Sequence, residues 1–333
     1  MANSMATAGM VVLLCALRIS APAVGSATAW ANQNHETKTE SGEASIPFQL
    51  RSDFLVVVEV KVGSLAGRKF ILDTGTTHSV LDRKVADALS LPREEAAVLN
   101  FDRRVKIGWS NVPELQIGPL RFRNLRMMVS PLAESSEYAD GIDGIIGLDV
   151  LRFCQRVRIN FDQRILTLSF GRANSRKDAD KTQAFLVELN VQGQQLCLIL
   201  DSGLRDLVLF KNRIRNNAPH LKLGKKSWVG HEGWMEGRFT QLKGIRVGSK
   251  ESEALAFVIP NAPQALPANI DGFLGIRALN SSLVELNFEV RSLRLVGPES
   301  ATLALNESRT LNDTKAGIAP DGLKEEKTPR SDP

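Results

Sequence analysis

The sequence predicts a mainly β protein made of two similar lobes with few short helices. Three observations carry that expectation: short apolar runs with strand periodicity, a set of motifs that recurs at a fixed offset, and polar segments that separate the runs. Phe54-Leu55-Val56-Val57-Val58-Glu59-Val60 and Phe185-Leu186-Val187-Glu188-Leu189-Asn190-Val191 read as the opening strands of the two units. Each is followed by a turn, within Gly63 to Lys69 and Gln192 to Gln195, so each unit begins as a hairpin. Asp82 to Leu89, with Val85, Ala88 and Leu89 on one face, is the clearest short helix.

The recurrence is specific. Asp73-Thr74-Gly75-Thr76 follows Phe70-Ile71-Leu72, and Asp201-Ser202-Gly203-Leu204 follows Leu198-Ile199-Leu200, a separation of 128 residues. Ile142-Asp143-Gly144-Ile145-Ile146-Gly147 returns as Ile270-Asp271-Gly272-Phe273-Leu274-Gly275 at the same offset. After the loss of one residue, Ile159-Asn160-Phe161-Asp162 is answered by Leu286-Asn287-Phe288-Glu289. One tripeptide means little, but ordered matches at a nearly constant offset indicate two copies of one structural unit.

Composition sets the boundaries. The 333 residues are 43% hydrophobic, enough for a substantial core, and 42 Lys+Arg against 37 Asp+Glu are scattered along the chain rather than gathered into a stripe, which does not point to nucleic acid. Residues 1–29 read as an export signal, with Val11 to Leu17 as a short apolar centre and Ala27-Thr28-Ala29 as a cleavage pattern. The leading segment lacks Lys and Arg, and Arg18 interrupts the apolar stretch, so an uncleaved membrane anchor stands as the alternative to a periplasmic or secreted protein. Leu14 before Cys15 is not the small residue that lipid anchoring wants. A flexible lead over 30–46 should precede a first lobe over 47–172; a charged linker, a second lobe over 181–297 and a disordered tail over 298–333 should follow. Cys154 and Cys197 lie in apolar, strand-like surroundings that favour two buried thiols over a disulfide.

An Asp-Thr/Ser-Gly triplet after an apolar strand, with an apolar pair and Gly about seventy residues later, resembles the aspartic peptidases. The likeness runs over roughly 50–297; both units lie on one chain as in the pepsins, and each has the compact length of a retropepsin subunit. It implies two pseudo-symmetric, acid-protease-like β-barrel lobes, an endopeptidase with Asp73 and Asp201 as its catalytic pair, no cofactor, a polypeptide substrate and a monomer. Two carboxyl groups sharing one proton can deprotonate a water and polarise a carbonyl together, which metal-free peptide hydrolysis requires. Gly75 and Gly203 would let the two backbones approach. By the same resemblance, the hydroxyls of Thr74 and Ser202 would bond across the lobe junction, and Ile145-Ile146-Gly147 and Phe273-Leu274-Gly275 would pack beneath the Asp turns. Thr76 offers a hydroxyl to the first carboxylate where Leu204 offers none to the second. That asymmetry raises the alternative of a protease-like peptide-binding protein with impaired catalysis.

Other residues carry less. Asp143 and Asp271 recur within Asp-Gly turns and read as structural. His78 lies near Asp73, but no Ser or Cys elbow accompanies it, so it reads as a turn or surface histidine. His35, His220 and His231 lack metal-ligand spacing. Val105 to Ser110 and Val229 to Gly237 are candidate hairpins over a cleft, with ordinary turns as the equal alternative.

Overall fold

A computed structural model describes residues 42–100, 103–132, 140–171, 184–214, 221–229, 235–247, 250–264, 266–297 and 301–304. The export signal, most of the lead, the linker and most of the tail lie outside the described residues. Strands dominate, with two short helices among the described residues.

In the first half, β1 (Gly42–Pro47) and β2 (Gln49–Arg51) precede the hairpin of β3 (Leu55–Val62) and β4 (Leu65–Leu72). Glu59 and Lys61 are exposed between buried Val58, Val60 and Val62, the alternation of a strand with one wet face. Then come β5 (Val80–Asp82), α1 (Arg83–Ala88), β6 (Glu94–Asn100), β7 (Arg103–Ile117), β8 (Leu120–Ser130), β9 (Gly144–Ile146), α2 (Leu148–Leu151), β10 (Arg156–Asn160) and β11 (Ile165–Phe170). Helix α1 starts where expected because Asp82 caps it, its carboxylate accepting the Lys84 N–H at 2.8 Å. The second half repeats this plan with β12 (Leu186–Val191), β13 (Gln194–Asp201), β14 (Leu207–Phe210), β15 (Lys226–Val229), β16 (Met235–Val247), β17 (Lys250–Ile259), β18 (Gly272–Gly275), β19 (Leu283–Asn287), β20 (Ser292–Val296) and β21 (Ala301–Ala304).

The two halves share one strand order. One sheet runs β2-β3-β4-β9-β5-β8-β7-β6 and another β12-β13-β18-β14-β17-β16-β15, so, apart from β2, strand for strand the order is the same. Each sheet curls back on itself through one extra pairing, β3 with β7 and β12 with β16. In each, the strand that delivers the Asp lies parallel to the apolar-Gly strand: Ile71 pairs with Ile145 and Leu72 with Ile146, Ile199 with Phe273 and Leu200 with Leu274. These side chains are buried and fill the floor beneath the two motifs.

A third sheet, β1-β11-β10-β19-β20-β21, joins the halves through the antiparallel pair β10–β19. It corrects two expected boundaries. Residues 42–46 of the supposed lead belong to β1, because Ala44 and Ile46 are buried while the strand pairs with β11. Residues 301–304 of the supposed tail form β21, which continues the sheet beside β20. Polar flanking composition hid both short edge strands. Cys154 and Cys197 are buried thiols rather than a disulfide, as the apolar surroundings suggested.

Val157 and Ile159 of β10, with Val284 and Leu286 of β19, are fully buried, so the junction depends on apolar packing. Ile159→Ala should cost about 2–5 kcal/mol in urea unfolding, as core truncations do. Val290→Ala, at a position 68% exposed, should change stability by less than about 0.5 kcal/mol.

Candidate active site

The two repeated motifs meet. The Thr74 N–H donates to Ser202 Oγ at 2.9 Å and the Ser202 N–H donates to Thr74 Oγ1 at 3.0 Å. Each hydroxyl then donates onward across the junction, Thr74 Oγ1 to the Leu200 carbonyl at 2.9 Å and Ser202 Oγ to the Leu72 carbonyl at 2.8 Å. Four bonds related by pseudo-twofold symmetry thus tie the strand ends that carry Asp73 and Asp201. All are buried, where a missing partner would leave a polar group unsatisfied.

Between them the carboxyls converge. Gly75 N–H donates to Asp73 Oδ1 and Gly203 N–H to Asp201 Oδ1, both at 2.8 Å. A methyl group on Gly203 would lie 3.0 Å from Asp73 Oδ2 and 3.1 Å from Asp201 Oδ1, so both oxygens border one small space. A methyl on Gly75 would overlap the Asp201 carboxyl itself. Glycine is needed at these two positions because the opposing acid stands where a side chain would go.

Burial sets the protonation of the pair. It pushes Asp73 up to about 6, against the pull of N–H groups from Gly75, Thr76 and Gly203. Asp201 is raised well above the ordinary range by burial first and by the Asp73 charge second. Two carboxyls this near in a dry site titrate as a unit and retain a proton into mildly acidic conditions.

Thr76 is placed differently from the expectation. Its hydroxyl donates to the His78 carbonyl at 3.0 Å, whereas the carboxylate of Asp73 is served by the Thr76 backbone N–H. The backbone N–H of Leu204 serves Asp201 in the same way, and the Leu204 side chain is buried among Ile199, Val208 and Phe273. The side chain after each Gly points away from its acid, so Leu in place of Thr removes no bond from the second carboxyl. The supposed defect of the second motif is therefore absent from the geometry.

Asp143 and Asp271 act within the scaffold. Asp143 Oδ2 accepts the Lys69 N–H at 2.8 Å and Asp271 Oδ2 the Cys197 N–H at 2.9 Å, holding each Asp-bearing strand to its partner. His78 is half-buried in the bend between β4 and β5, in keeping with a turn histidine: its ring lies edge-on to Trp109 at 5.3 Å and bonds Thr77 Oγ1 at 2.9 Å. Burial, then Arg126, lowers its pKa. Trp109 belongs to the hairpin β6–β7, and β15–β16 forms the equivalent hairpin; the tips of both lie outside the described residues. Among the described residues no cluster of His, Cys, Asp or Glu could hold a metal ion.

One buried carboxylate braces this region without a repeated sequence signal. Asp149 accepts the Ser79 N–H at 2.9 Å, the Ser79 hydroxyl at 2.6 Å and the Val150 N–H at 2.9 Å, while Ser79 Oγ accepts the Gly147 N–H at 3.0 Å. This clasp locks the segment after Asp73 to α2. Its second-half counterpart is Arg277, so no acid recurs at this position.

A model of the aspartyl protease family matches residues 58–150, the span from the first opening strand through α2. That match supports an aspartic protease in general and falls on the half containing Asp73. Among solved structures, one described as a retropepsin-like aspartic protease from Rickettsia conorii is 20% identical, covering 42% of this chain and 97% of that chain with a TM-score of 0.29. A search of curated proteins finds no match.

Gly75→Ala should lower stability by about 1–3 kcal/mol, as overpacking does, and more than Gly203→Ala, in parallel thermal melts. Burial raises Asp149 to about 6 from 3.8, so the native state binds this proton more tightly than the unfolded chain. Its contribution therefore favours folding below about pH 4 and weakens as pH rises through about 6. Asp149→Asn should flatten the fall in stability between pH 4 and 6 by roughly 2–3 kcal/mol relative to wild type, read from urea unfolding at each pH.

Proposed function

We propose that the protein is a bilobal aspartic endopeptidase in which Asp73 and Asp201 hydrolyse peptide bonds through a water held between them. The observation that carries this reading is the meeting of the two Asp turns across the Thr74 and Ser202 bonds, with both carboxyls buried and facing one space. In the one-proton state, the ionised carboxyl takes a proton from water as its oxygen attacks the scissile carbonyl carbon. The protonated carboxyl gives its proton to the carbonyl oxygen, producing a gem-diol. Collapse of that species returns a proton to the leaving nitrogen and restores the shared proton. Asp73 and Asp201 are the catalytic residues; Thr74, Gly75, Ser202 and Gly203 hold them, and Ile145, Ile146, Gly147, Phe273, Leu274 and Gly275 support them from below. Thr76 serves through its backbone.

The substrate is an extended polypeptide lying between the lobes and covered by the hairpins β6–β7 and β15–β16. The working unit is a monomer that needs no cofactor, lipid anchor or nucleic acid. The leading apolar segment fits export to the periplasm or exterior.

Digestion of an unfolded protein should proceed fastest under mildly acidic conditions and fall as the pair loses its last proton. Asp73→Asn and Asp201→Asn should each reduce cleavage at least about a thousandfold, with folding checked by circular dichroism, since each removes half of a proton-sharing unit. Equal cleavage by wild type and both variants would refute the assignment.

A further inference from the structure

The junction between the halves is centred on one pair of residues. Arg158 of β10 stands opposite Glu285 of β19, and the neighbours pair symmetrically about them, Arg156 with Asn287 and Asn160 with Leu283. In the repeat alignment Ile159 matches Leu286, so Glu285 is the counterpart of Arg158. The pseudo-twofold axis therefore passes through this pair. Bonds related by the same axis flank it, with the Phe161 N–H donating to the Ser282 carbonyl at 2.8 Å and the Phe288 N–H to the Gln155 carbonyl at 2.9 Å.

At such an axis a residue meets its own counterpart, and in a pairing of identical halves it would meet itself. We propose that Arg158 and Glu285 form a charge code that makes each half accept the other half and reject a second copy of itself. Arg158 Nε donates to Glu285 Oε2 at 2.9 Å, and Arg156 Nε lies 3.7 Å from Glu285 Oε1. The Glu285 side chain is only 11% exposed, and the two arginines face it across the junction. Two first halves would set Arg158 against Arg158 with both Arg156 residues close by; two second halves would set Glu285 against Glu285. Like charges directly opposite across strands disfavour pairing.

The apolar members do not discriminate. Val157 faces Leu286 and Ile159 faces Val284, and aliphatic residues would meet in any of the three pairings. A second contact points the same way. Arg277 of the second half stacks over the Phe161 ring of the first at 4.5 Å. In a pair of first halves its place would fall to Asp149, which cannot make that contact. The charge pair opposes both like pairings, whereas the Arg277 contact opposes only a pair of first halves, since two second halves would set Arg277 near Phe288; neither depends on the peptidase reading.

The full-length chain provides the test. Wild type should be monomeric by light scattering. Arg158→Glu and Glu285→Arg should each lower the melting temperature by about 5 °C or more. The double exchange should recover at least half of that loss, Arg156 limiting the recovery. Unfolded and refolded together, the two single variants should form a 1:1 species of twice the monomer mass, because only across chains does every first half meet a second half of opposite charge. Single variants that melt like wild type, a double exchange no more stable than the singles, or co-refolded variants that remain separate monomers would each overturn the proposal.

Discussion

The structure depends on four buried hydrogen bonds that cross between Thr74 and Ser202 and end on the carbonyls of Leu200 and Leu72. They fix two strand ends that belong to different halves, and so set the acids one residue earlier against each other, while the β10–β19 pairing holds the halves together farther away. Two carboxyls in a dry space repel once both ionise, so the scaffold must hold them against that repulsion. Paired parallel strands beneath each turn, the carboxylates of Asp143 and Asp271 on the strands that lead in, and glycines where the opposing acid needs room all serve this placement.

Symmetry supplies the placement and asymmetry refines it. Backbone contacts repeat closely: the Leu148 N–H donates to the Thr76 carbonyl as the Ile276 N–H does to Leu204, and the Asp149 N–H to Thr77 as the Arg277 N–H to Arg205. Side chains then diverge on that common frame. The first half spends its acid at this position on clasping Ser79, while the second sends an arginine across to Phe161. The ion pair on the pseudo-twofold axis exists only because the copies differ there.

Much of this was legible in the sequence. Fixed-offset motifs marked two halves that share a strand order, and apolar periodicity located the hairpins that deliver Asp73 and Asp201, because buried strands leave a strong pattern. Short edge strands were missed, since β1 and β21 are set in polar flanks and gain their order from neighbours distant in sequence. Thr76 was misread because composition reveals a hydroxyl but not its direction. Asp149 left no repeated signal, and Arg158 lay one step beyond the aligned segment where its match to Glu285 would have been seen.

The central claim is that Asp73 and Asp201 hold one proton in common. Titration of their side-chain carbons by nuclear magnetic resonance, with labelled aspartate and single Asn variants for assignment, addresses it most directly. Linked transitions are expected, with the last proton leaving well above the ordinary 3.8 and the survivor's titration altered when either acid is replaced. Two independent transitions near 3.8, each indifferent to loss of the other acid, would contradict it.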